Sequence, residues 1–196
     1  PRFVVIANAP ERARAGHEGW EFLIDRRSQL GQALGTLEAG STLSVSAPEG
    51  PGFPTETVPG RDLLCFVTGS GIASIRPAIQ HWGDAPEDAP ASVTLYYGEA
   101  DREAFAYPDE LYEWSQRGIR IFRCWEAMDG EADAHRYVQD AFEVDSPDLQ
   151  DVQVFIAGAR PMKRIVAERL LRAGVDFERI FTNVGVAPPE ADAGRQ

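Results

Sequence analysis

Two hydrophobic periodicities alternate along the last two-thirds of the chain. Asp62–Trp82 reads DLLCFVTGSGIASIRPAIQHW: an unbroken apolar run from Leu63 to Val67, two glycines, then apolar positions at Ile72, Ile75, Ile79 and Trp82. A strand covered on both faces has no wet side and shows no alternation. Spacings of three and four put residues on one face of a helix. The same succession recurs downstream. Strands are predicted at Ser92–Tyr97, Ile119–Cys124, Val152–Ile156 and Arg179–Thr182. Helices are predicted from Pro108 through Leu111 and Trp114 to a stop near Gly118, and over Tyr137, Val138, Ala141 and Phe142. A further one runs from Pro161 through Met162, Ile165, Val166, Arg169 and Leu170 to Gly174, with proline in its first turn and glycine at its end. After the opening helix, which ends at Trp82, the polar stretch Gly83–Pro90 reads as a linker. Strands separated by helices imply a parallel sheet with right-handed crossovers. The fold class expected for 61–184 is therefore α/β, a doubly wound parallel sheet.

Before it, 1–58 reads as β-rich. Phe3–Ala7 and Trp20–Ile24 are strand-like, Thr42–Ser46 alternates cleanly, and Leu30, Ala33, Leu34 and Leu37 fit a short helix. Turns are expected at Ala9-Pro10, Ala15-Gly16, Ala39-Gly40 and Pro48–Gly52. Three strands cannot close a barrel, so this unit looks incomplete. The Ala/Pro/Glu/Gly tail, 185–196, is expected to be disordered.

Composition narrows the classes. A net charge of −12 offers no basic surface for phosphate backbones, so a general nucleic-acid role is disfavoured. Lys163 is the single lysine of the sequence, which leaves that position alone for Schiff-base chemistry. Cys65 and Cys124 lie inside apolar runs and read as buried thiols, so no disulfide framework is expected and a cytoplasmic location follows. No apolar run approaches a membrane span and no signal peptide is visible. His17, His81 and His135 lack metal-ligand spacing, and no GxSxG elbow occurs. Asp109-Glu110 suits a helix start, and Trp82, Trp114 and Trp125 suit the core.

Candidate chemistry gathers at one edge. Ligands of doubly wound sheets bind beyond the carboxyl ends of the strands. Three glycine-bearing loops leave that edge: Gly69-Ser70-Gly71, Gly98-Glu99-Ala100 and Gly158-Ala159-Arg160. Glycine permits a tight turn and close backbone approach, and free N–H groups at a helix start attract anions. A dinucleotide pyrophosphate would sit there. A lone two-glycine turn also serves as a plain strand-to-helix connection. Position 74 is Ser, so there is no GxGxxG, and no Walker lysine follows.

Together these segments resemble the ferredoxin–NADP reductase-like oxidoreductases, a flavin barrel joined to a pyridine-nucleotide domain. Thr68-Gly69-Ser70-Gly71-Ile72-Ala73 is similar to that family's TGxGxxP loop. Leu95-Tyr96-Tyr97-Gly98 resembles its second nucleotide-side strand end, and Ala157-Gly158-Ala159-Arg160-Pro161-Met162 its GxxxM segment beside the nicotinamide. Gly40 to Gly52 is similar to the barrel's closing strand and GPxG turn. The resemblance implies an FAD and an NAD or NADP site, and hydride transfer between them. It places Arg2, Val4 and Val5 where the family has RxYS, and Ser28, Leu30 and Gly31 where it has GxxS. Of the first motif only the arginine survives. Gly31 stands where the second has its hydroxyl, leaving backbone N–H groups to hold a pyrophosphate. The family's cysteine beside the nicotinamide is Ala157, and its loop proline is Ser74.

After Gly98 the arginine that reads a 2′-phosphate is absent; Glu99, Ala100 and Asp101 stand there, with Arg102 beyond. A carboxylate beside a ribose accepts hydroxyl hydrogen bonds and repels a phosphate, which favours NAD; a solvated acidic loop is the other reading. The family's flavin domain is about twice as long as the stretch before Gly60 if it is a six-stranded barrel, so either sequence upstream of Pro1 or a partner chain is expected to complete it. No CxxxxCxxC cluster for an iron–sulfur centre occurs. Two functions follow. One is a flavin-dependent NAD(P)H oxidoreductase with an unidentified electron acceptor, which a partner protein could be. The other is a degenerate reductase-like module that binds nucleotide or serves as a partner subunit.

Overall fold

A computed structural model describes residues 4–14, 19–125 and 136–183. Five parallel strands, β1 (Asp62–Thr68), β2 (Ser92–Gly98), β3 (Arg120–Cys124), β4 (Gln153–Ala157) and β5 (Ile180–Thr182), lie in the order β3-β2-β1-β4-β5. The order reverses between β1 and β4, the point at which a doubly wound sheet opens a crevice. The registers carry both central strands to the same rim: Thr68 is level with Gly98 of β2, and Val67 with Ala157 of β4.

Helices cover both faces, as the unbroken apolar strands require. Leu63, Cys65, Val67, Leu95 and Tyr97 pack with Ile72, Ile75, Ile79 and Trp82 of α3 (Ile72–Asp84) and with Leu111 and Trp114 of α4 (Pro108–Gln116). Leu64, Phe66, Tyr96 and Cys124 pack on the other face with Val138, Ala141 and Phe142 of α5 (Val138–Asp145) and with Met162, Val166 and Leu170 of α6 (Arg160–Arg172). Phe66, Tyr96 and Phe122 stack across three neighbouring strands. α3 runs on through Pro77, which donates no hydrogen bond. Its buried stripe holds the helix together there, since packing of an apolar face outweighs local propensity. The expected linker after Trp82 begins later, because α3 extends to Asp84.

The segment before Asp62 departs from expectation. Among the described residues its strand pairing is one isolated antiparallel bridge, Ile6 to Phe22. Thr42–Ser46 forms no ladder, with Leu43 56% and Val45 57% exposed. Alternation makes a strand only where a neighbour takes up its hydrogen bonds; among the described residues none does. The partial barrel expected for 1–58 is thus not shown by the described residues. Helices do form: α1 (Pro10–Arg14), where a turn was expected, and α2 (Gln29–Leu34), where a helix was. The expected tail lies outside the described residues.

Candidate functional site: a glycine rim and an adjoining cleft

Thr68, the last residue of β1, organises the rim. Its hydroxyl accepts a hydrogen bond from the Ala159 amide at 3.0 Å. A Cβ on Gly158 would overlap that hydroxyl and come within 2.8 Å of the Thr68 carbonyl oxygen. Gly158 also has φ +134°, open to glycine alone at low cost. A Cβ on Gly71 would lie 2.5 Å from the Ala157 carbonyl oxygen, and one on Gly98 3.2 Å from the Thr68 methyl. The three loops are therefore in contact along one edge, and two of their glycines are required by backbone packing between the β1 and β4 ends. Gly69 differs. It has φ +55° with open space where a Cβ would stand.

Two thirteen-residue helices start at this rim. Neither α3, entered through Gly71, nor α6, entered through Ala159, has a side-chain cap. Uncapped first turns direct N–H groups and the positive end of the helix dipole outward. Ser74 in the first turn of α3 accepts from the Asn183 amide at 3.2 Å, and Asn183 accepts from Lys163 of α6 at 3.4 Å. This polar chain joins the two helix starts over the end of the sheet. Burial, with the neighbouring Arg160 charge, lowers the Lys163 pKa. Met162 is buried in the core, and Arg160 and Pro161 are exposed.

At the end of β2, the Tyr97 hydroxyl donates to Glu99 Oε1 at 2.7 Å and accepts from the Ala106 amide at 3.2 Å. Burial pushes the Glu99 carboxyl above the usual range, while the Tyr97 hydrogen bond and the Arg27 charge pull it back. Glu99 is thus half-buried, while Ala100 and Asp101 beyond it are exposed.

Next to the rim, Val4, Val5, Leu23, Ile24, Asp25, Ser28 and Leu30 line an open cleft of about 420 Å³ whose far wall is Ser70. Four residues expected on the flavin side are brought together here with one from the nucleotide loop. Gly31 is buried beneath them, packed against the Asp25–Arg26 backbone. Its amide, one of those expected to meet a pyrophosphate, already donates to Ser28 Oγ at 2.9 Å. Arg2, His17 and His135 lie outside the described residues. Sequence reasoning missed Arg76 and Gln80, polar residues buried on α3. Their signal was a second stripe, polar at 76, 80 and 84, beside the apolar one.

A parallel sheet that reverses at β1/β4, with glycine turns and uncapped helices there, defines a dinucleotide-binding domain. Residues 66–168 match the oxidoreductase NAD-binding domain family, and the chain belongs to it. Its structural neighbours are ferredoxin–NADP reductase-like FAD/NAD-binding proteins. A ferredoxin NADP+ reductase from Neisseria gonorrhoeae, with bound FAD and NADP, superposes with TM-score 0.73 at 15% identity over 93% of this chain and 78% of that one. The flavohem-like FAD/NAD-binding domain of a nitric oxide dioxygenase from Vibrio cholerae gives 0.73 at 17% identity over 94% and 76%. At such identities the likeness is one of fold. A curated relative, the gamma subunit of sulfhydrogenase 2 from Pyrococcus furiosus, is 21% identical over 82% of this chain; the match spans 60% of its own length. No helix of the described residues is long and apolar enough to cross a membrane.

Proposed function

We propose that the protein takes part in flavin-dependent oxidoreduction, moving hydride between NAD(P)H and FAD and passing electrons to an acceptor outside the chain. The observation that carries this reading is the contact of three glycine loops at the sheet's reversal point, beside two uncapped helix starts. When bound, the two cofactors supply the hydride chemistry. The chain's own residues bind and orient. Thr68, Gly69, Ser70, Gly71, Ile72 and Ala73 cradle the dinucleotide pyrophosphate, with Gly69 open to close approach. Tyr97 and Gly98 end the strand beneath its adenosine half, and Glu99 accepts from ribose hydroxyls, which favours NAD over NADP. Gly158, Arg160 and Pro161 border the nicotinamide half, with Met162 seated in the core behind them. Val4, Val5 and Leu30 offer an apolar cleft sized for a flat ring system, with Ser28 and Gly31 shaping its floor and Arg2 pairing with flavin phosphate. The sulfhydrogenase relative is named as a subunit, which supports a partner protein as the acceptor.

A visible spectrum tests this. Protein incubated with FAD and freed of excess should be yellow, and its flavin bands should bleach anaerobically with NADH. Protein that stays colourless yet binds NADH would support the nucleotide-binding subunit instead. The valines at 4 and 5 and the occupied Gly31 amide favour that second reading.

A further inference from the structure

We propose that Arg76 is a positioning residue that sets the width of the cleft between the N-terminal segment and the Gly69–Gly71 turn; this rests on the function proposed above. The cleft has one wall from Val4, Val5 and the stretch from Leu23 to Leu30, and another from Ser70. Arg76 lies six residues beyond Ser70, on the helix which that turn opens. Its guanidinium reaches both lengths of chain that form the opposite wall. Nη1 donates to the Ala7 carbonyl at 2.7 Å and to Glu21 Oε2 at 2.5 Å. Ala7 follows Val5 by two residues and Glu21 precedes Leu23 by two, so both grips act next to the lining.

The guanidinium is itself fixed from behind. Nε donates to Glu110 Oε2 at 2.9 Å, Nη2 lies 2.8 Å from Glu110 Oε1, and the plane sits 4.6 Å from the Tyr107 ring centre. One and two turns along α3 the stripe continues. The Ala9 amide donates to Gln80 Oε1 at 2.9 Å, and Arg12 Nε to Asp84 Oδ2 at 3.2 Å. Arg76 and Gln80 are 8% and 5% exposed, so the grips on the Ala7 carbonyl and the Ala9 amide are shielded from water, whereas Glu21 is partly exposed and the Arg12–Asp84 pair is open. A planar fork with five donors holds two carboxylates and a carbonyl from separate nitrogens in one fixed geometry; a lysine, with three donors on one nitrogen, cannot reproduce the two-nitrogen grip on Glu110.

Hydride transfer needs reacting atoms roughly 3–3.5 Å apart, and a misplacement of about 1 Å costs about 100-fold. Binding of either cofactor is spread over many contacts and does not share that sensitivity. The separation of the walls should therefore govern the transfer rate and leave affinity nearly untouched.

The test uses the full chain carrying Arg76→Met, Arg76→Lys or Glu21→Gln, first without cofactor and then loaded with FAD. In the cofactor-free protein, Arg76→Met should raise hydrogen exchange across 4–9 and 19–25 by about tenfold or more and leave β1 and β4 unchanged, as expected for local opening. In the loaded protein, anaerobic stopped-flow with NADH should show the limiting rate of flavin reduction falling about 30- to 100-fold. The Kd values for FAD and NADH should stay within about threefold of wild type, a change of about 0.7 kcal/mol. Arg76→Lys should recover only part of the rate. Glu21 is partly exposed, so Glu21→Gln folds even if Arg76→Met does not, and should lower the rate about three- to tenfold. Unchanged exchange and rate, or rate and both affinities falling together, would overturn the proposal. A wild-type protein that takes up no FAD would instead sink the proposed function and this inference with it.

Discussion

Glu99 is a single side chain at which stability and the proposed ribose contact can be tested together. Its carboxyl is held above the ordinary range chiefly by burial. Between the ordinary value and the raised one, the folded state keeps a proton that the unfolded chain has released, so stability falls as pH rises through that interval. Glu99→Gln removes the titration. Its denaturation midpoint, relative to wild type, is expected to be higher at pH 7 than at pH 4, measured by urea unfolding at both. The same change should weaken NADH by about tenfold, the worth of one hydrogen bond to a charged group. NADPH should weaken less or gain. Equal losses for both nucleotides would remove Glu99 from the ribose site. Position 99 was legible as acidic from the chain alone. That a tyrosine two residues earlier would partly bury it was not, because Tyr97 reads simply as an apolar strand residue.

Among the elements, the strands and helices from Asp62 to Thr182 were the readable part. Leu63–Val67 has no polar interruption, and α4 and α6 each carry a proline in the first turn and a glycine, Gly118 or Gly174, just past the end. What misled was Thr42–Ser46. Its alternation is as regular as any in the chain, but period alone cannot supply a neighbour to bond with. Arg76 was hidden for the opposite reason. A charged residue on a helix reads as solvent-facing, and its partners, Ala7 and Glu21, are more than fifty residues away. The rim glycines were legible as turns, not as packing contacts. Gly158 makes the distinction measurable. A methyl group there meets Thr68 and also forces a residue with a side chain into φ +134°. Gly158→Ala should destabilise the protein by about 2–4 kcal/mol, seen as a lower urea midpoint with an unchanged m-value. A loss below 0.5 kcal/mol, on the order of a surface change, would mean that the β1 and β4 ends are not so tightly joined.

At the scale of the molecule, the site exists only when the sheet is whole. NADH at a hundredfold excess over its Kd should stabilise the protein by about 2.7 kcal/mol. For a chain of this size that corresponds to a melting temperature about 5–10 °C higher. No shift would show that the rim does not bind the nucleotide. The pairing of β1 with β4 joins residues about ninety apart in sequence, and contacts so distant form late and slowly. A chain still emerging from the ribosome, with β1, β2 and β3 already made, would own half a grip and nothing for it to close on. On the function proposed, nucleotide capture would then report that β4 has taken its place beside β1.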